Sequence, residues 1–70
     1  MSYPYETPHG QAHRHVAEGE ERVARQEALV AKLAHAGHDT TIARELLKTF
    51  QDTLALMWAD LQLLRTAEPE

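Results

Sequence analysis

Histidine is the residue type whose number and spacing could do chemistry in this chain: five among 70 residues, at His9, His13, His15, His35 and His38. His9 and His13 are four apart and share a face if a helix reaches back that far, a spacing compatible with two imidazole ligands to zinc or nickel. His13 and His15 would point about 200° apart on a helix, so His15 does not extend that pair. A third ligand must come from His35, His38 or Asp39, roughly 30 Å away along one helix at about 1.5 Å per residue. Only an antiparallel second subunit would bring the two ends together. The metal candidates are therefore His9, His13, His15 and His38, set against the simpler expectation of solvated histidines near helix ends. His35, in a last helical turn, suits the terminal carbonyls. We expect no resident metal and no cofactor, with a metal- or small-ligand-binding protein built on these N-terminal histidines as the alternative to an interaction or regulatory module.

A second cluster, Gly37-His38-Asp39-Thr40-Thr41, gathers a base, a carboxylate and two hydroxyls. Catalysis needs a concave site as well as reactive groups, and a tight turn at the tip of a hairpin offers none. Asp39 is better explained as a helix cap, with Thr40 as its competitor, and Gly37 as a left-handed terminator. No catalytic residue and no enzymatic activity are expected.

The elements that position these groups are set by the breakers. Pro4, Pro8 and Gly10 fall in the first ten residues, Pro69 is next to last, and Gly37 to Thr40 is the strong punctuation between them. This spacing predicts an N-terminal arm over residues 1–10, a helix over 11–36, a turn over 37–39, a second helix over 40–66 and a tail over 67–70. Pro8 is an alternative first residue with Thr7 as cap, although Gly10 would weaken that turn. So short a connection leaves the two helices as antiparallel neighbours. The fold class is all-α, an antiparallel two-helix hairpin.

In the first helix Val16, Val23 and Val30 are seven apart, with Gly19, Gln26 and Leu33 interleaved at steps of three and four, the spacing of a coiled-coil seam. Gly19 permits close approach. Gln26 either fixes register as a buried polar group or borders the seam. The solvated side carries Arg14/Glu18, Glu18/Arg22 and Glu21/Arg25 at four-residue spacing. The second helix is apolar over a wider arc. Leu47, Leu54 and Leu61 form one seven-residue series; Phe50, Met57 and Leu64 form another, with Leu46 beside them; Ile42, Leu56 and Leu63 form a third further round. Trp58 borders the far edge, as an interface anchor or an edge-of-core residue.

At about 100° per residue these positions sweep over half the circumference, more than one partner helix covers. The excess predicts self-association into a homodimeric four-helix bundle. Its interface is expected among Phe50, Leu54, Leu56, Met57, Trp58, Leu61, Leu63 and Leu64. A different protein on the same face is the other partner to consider.

Composition supports association and excludes several classes. A chain of 70 residues without cysteine has neither disulfides nor a thiolate zinc site to supplement a small core, and it suits a reducing compartment. Four basic residues balance four acidic ones within 11–36, and three balance three within 40–66. The net charge of −4 therefore comes from Glu6, Asp39, Glu68 and Glu70. No basic stripe exists to neutralise phosphates, so no nucleic-acid partner is expected. A helix-turn-helix reader would also need a third helix and an exposed basic face. The most apolar stretch, Leu54 to Leu64, is too short for a bilayer and is broken by Asp60 and Gln62. The opening Met-Ser-Tyr-Pro-Tyr-Glu-Thr-Pro does not read as a signal peptide. A cytoplasmic protein without a membrane partner is expected.

The stretch His15-Val16-Ala17-Glu18-Gly19-Glu20-Glu21-Arg22-Val23-Ala24-Arg25-Gln26, the turn Gly37-His38-Asp39-Thr40, and Ala43-Arg44-Glu45-Leu46-Leu47-Lys48-Thr49-Phe50-Gln51-Asp52-Thr53-Leu54 together resemble a family of short uncharacterised helical proteins of alphaproteobacteria such as rhizobia. The resemblance covers roughly residues 13–64, with the three phrases in the same order. It implies a bacterial cytoplasmic hairpin and carries no activity, substrate or site residue with it.

Overall fold

The structure, a computed structural model, describes residues 7–67. Two helices account for almost all of them: α1, Pro8–His35, and α2, Thr41–Ala67. They pack side by side as an antiparallel hairpin, and no strand occurs among the described residues.

The start of α1 corrects the expected boundary by three residues. Thr7 is the N-cap: its Oγ1 accepts from the Gly10 amide at 2.9 Å, and its carbonyl accepts from the Gln11 amide at 2.9 Å. Pro8 at the first helical position has no amide to leave unpaired and a φ already suited to the helix. Cap and proline together outweigh the cost of Gly10 in the first turn, so residues 8–10 belong to the helix and not to an arm. The rest of the expected arm, residues 1–6, lies outside the described residues.

The turn is built from paired backbone groups. Gly37 has φ 81°, a left-handed conformation that glycine adopts without a Cβ penalty. Its amide donates to the Ala34 carbonyl at 3.0 Å, while the His38 amide donates to the Leu33 carbonyl at 2.9 Å. These two crossed bonds are the Schellman closure, satisfying carbonyls that the helix end would otherwise leave open. Helix α1 thus ends at His35, one residue before the expected boundary.

Helix α2 begins at Thr41 and not Thr40, because Thr40 is the half-in residue whose carbonyl accepts the first helical bond, from the Arg44 amide at 2.8 Å. It runs through Ala67, one residue into the expected tail. Residues 68–70 lie outside the described residues.

The facing seams pair as their spacing dictates. From α1 come Ala12, Val16, Gly19 and Gln26, all buried, with Val23, Val30 and Leu33 half-buried; from α2 come Leu61, buried, and the half-buried Ala43, Leu47, Phe50, Leu54, Met57 and Leu64. The tightest part lies toward the open end, where Leu54, Met57 and Leu64 pack around Ala12, Val16 and Leu61. At Gly19 the helices come so close that an added Cβ would sit 3.0 Å from Leu54 Cδ1 and 3.1 Å from Met57 Sδ. Gln26 donates from Nε2 to the Ala43 carbonyl at 2.9 Å, a bond between the helices that satisfies its buried amide. On the outer surface Arg14–Glu18, Arg25–Glu21 and Lys48–Asp52 pair one turn apart, all solvent-exposed. Each adds roughly a few tenths of a kcal/mol to its helix.

Candidate functional site

The reactive side chains are separated by the hairpin itself. His9 and His13 lie one turn apart at the start of α1, their rings edge to face with centroids 4.7 Å apart. His15 faces another direction, and His35 and His38 lie at the turn, at the far end of the molecule. Among the described residues no group of three or more His, Asp or Glu side chains is placed to hold a metal ion. The candidate ligands His9, His13, His15 and His38 are therefore not brought together within one chain. The two nearest of them, His9 and His13, are a pair.

In the turn, Asp39 Oδ1 accepts from the Thr41 amide at 2.9 Å and from the Thr41 hydroxyl at 2.7 Å. The amide bond first, and the hydroxyl bond second, hold the Asp39 carboxyl below its ordinary value. Thr40 Oγ1 in turn accepts from Arg44 Nε at 2.8 Å. The carboxylate and both hydroxyls are engaged in starting α2.

The α2 side chains expected at an interface fall into two groups. Leu61 is 1 % exposed, and Leu54, Met57 and Leu64 pack against the same cluster. Their apolar surface is largely taken up by α1 of the same chain, so Leu61 in particular is unavailable to a partner. Phe50, half-buried, carries the Arg22 guanidinium 5.8 Å above its ring, within the range of a cation–π contact. Leu56 and Leu63, by contrast, are 68 % and 66 % exposed, and Trp58 is exposed at the opposite edge.

Exposed apolar residues beyond that expectation complete a surface. Ile42 is 78 % exposed, and Leu29 and Leu46 are more than a third exposed. On α2, Ile42, Leu46, Thr49, Thr53, Leu56, Asp60 and Leu63 succeed one another at steps of four and three, a second seam rotated away from the one that meets α1. At the open end this face sinks into a groove of about 360 Å³ between the first turns of α1 and the last turns of α2. Ala12, Met57, Leu63 and Leu64 form its apolar lining, with Gln11, His15 and Asp60 among the polar groups around it. On the α1 side Pro8, Gln11, Ala12 and His15 line the groove, and the small Pro8 and Ala12 side chains leave space between the helices there. The groove was not legible beforehand, since its walls lie some 45 residues apart in sequence.

No family model, no curated relative and no solved structure matches the chain. Fold and surface therefore define the class: a two-helix all-α hairpin with one apolar seam closed inside the chain and a second one open. No helix among the described residues is long and apolar enough to cross a membrane.

Proposed function

We propose that this protein is a non-enzymatic interaction module that works as a homodimer, two hairpins closing their open faces into a four-helix bundle. The observation that carries the reading is the exposed series Ile42, Leu56 and Leu63, 78 %, 68 % and 66 % accessible and aligned on one seam of α2. Burying each of them would contribute on the order of 1–2 kcal/mol. Two hairpin helices in one layer enclose little: among the described residues, Ala12, Val16 and Leu61 are the buried apolar side chains. A second layer is what turns such a face into a core.

The size of the face supports a second copy as its occupant. At about 1.5 Å per residue the helices are roughly 40 Å long. Two helix widths, about 20 Å, then give roughly 800 Å² per protomer, the area each partner contributes to a standard interface. Charge supports it as well, because the helical body is balanced in sign and a face meeting its own copy gains nothing from a net charge. The lack of cysteine and of a basic stripe fits a partner-binding protein of the reducing cytoplasm.

Solution mass by size exclusion coupled to light scattering, over a dilution series with and without chelator, tests the reading. A chelator-insensitive dimer of the 7.9 kDa chain is the expected result. Leu56→Asp should convert it to a monomer with a lower melting temperature. A wild-type chain that stays monomeric at high concentration would overturn the proposal.

A further inference from the structure

Ile42 and the groove lie at opposite ends of the open seam, and together they specify how two copies meet. We propose that the copies pair antiparallel, α2 against α2, and that Ile42 of each copy fills the groove of the other. This rests on the homodimer reading and adds its orientation and its contacts.

Ile42 stands beside the turn and is the most exposed large apolar side chain of the described residues. Asp60, which lines the groove, follows it by eighteen positions, about five full turns at 3.6 residues per turn. Ile42 and the groove therefore face the same way, about five turns apart along α2. A two-fold interface is self-complementary, so a projection and its recess must lie on the same face and exchange places under the rotation. An axis passing near Thr53, midway along the seam, achieves this. It sets Ile42 opposite Leu63, Leu46 opposite Asp60 and Thr49 opposite Leu56, with the small Thr53 side chains meeting at the centre. Gln11, His15 and Asp60 would form a polar rim around the inserted side chain, the arrangement usual at interfaces.

The parallel alternative fits worse on two counts. It places Ile42 against Ile42 of the other copy and groove against groove, leaving the recess unfilled. It also sets the two Asp60 carboxylates against each other across the seam, a like-charge contact that weakens pairing. In the antiparallel arrangement the two carboxylates are separated by about 20 Å along the helix axis.

Because the chain has no cysteine, single introduced cysteines report the geometry without interference. Full-length Ile42→Cys and Leu63→Cys are mixed, allowed to equilibrate, oxidised mildly and read on a non-reducing gel beside Thr53→Cys, each shown by light scattering to be dimeric before oxidation. The expected result is a mixed 42–63 product with no self-linked 42–42 or 63–63 product, and a self-linked 53–53 product, since a disulfide needs Cβ atoms within about 4.5 Å. Self-linking of Ile42→Cys would show parallel pairing and overturn the inference while the homodimer stands. An absence of both 42–63 and 53–53 links in a proven dimer would overturn it equally, placing the contact on another face. A monomeric wild type would instead remove the homodimer reading itself, and this inference with it. As a second readout, Ile42→Ala should raise the dimer dissociation constant by at least about tenfold; an unchanged constant would count against a filled groove.

Discussion

Gly19, Gln26 and Asp39 show how single side chains set the hairpin. Gly19→Ala would gain about 1 kcal/mol of helix propensity, yet its methyl group meets Leu54 and Met57 at 3.0 and 3.1 Å. The two effects offset, and we expect little change in stability on chemical denaturation. Gly19→Leu has no such balance and should destabilise by about 1–3 kcal/mol through overpacking. Gln26→Ala removes the bond to the Ala43 carbonyl and leaves space at a buried position, an expected loss of about 1–2 kcal/mol. Gln26→Leu should be near neutral, because the freed carbonyl still has the α2 ladder as partner. Asp39 governs part of the acid limb. Its folded-state pKa is lowered by the Thr41 amide and hydroxyl, so its contribution is complete above the unfolded value and is lost as pH falls through the folded one. The wild type should therefore lose more melting temperature than Asp39→Asn on acidification below the usual carboxylate range, and equal slopes would contradict this role.

The ends of each element are decided by local chemistry, and its faces by spacing. Thr7 and Pro8 start α1 three residues before the expected point because a side-chain cap and an amide-free first residue act together. Thr7→Ala should cost about 1 kcal/mol and fray the turn that carries His9 and the groove wall at Gln11, which amide hydrogen exchange would detect as faster exchange confined to the first turns of α1. At the other end the Gly37 closure tolerates no side chain without strain, since its φ is 81°. Helix α2 carries two seams at three-and-four spacing. One is closed by α1. The other, from Ile42 to Leu63, remains open, with Ile42, Leu56 and Leu63 exposed along it.

At the scale of the whole molecule, the hairpin is a single layer of two helices, so on the proposed homodimer much of its stability would come from the second copy. The melting temperature should accordingly rise with protein concentration, as expected when association stabilises the folded state; a concentration-independent melt would speak for a self-sufficient monomer. The sequence by itself determined the two helices, the short turn and the inner seam, because helical periodicity and turn chemistry are local. Val16, Gly19 and Gln26 were legible on that ground, as was the excess of apolar surface on α2. The early start of α1 was visible as an alternative at Thr7 and Pro8, but the cap bond that chose it was not. Only the tertiary structure decided which apolar residues of α2 are consumed inside the chain. Leu61 and Leu56 were both expected at an interface, yet one is buried and the other exposed, because burial depends on where the facing helix lies. The groove belongs to that second class: Pro8, Gln11, Ala12 and His15 become a wall only once the antiparallel turn has brought the end of α2 beside them.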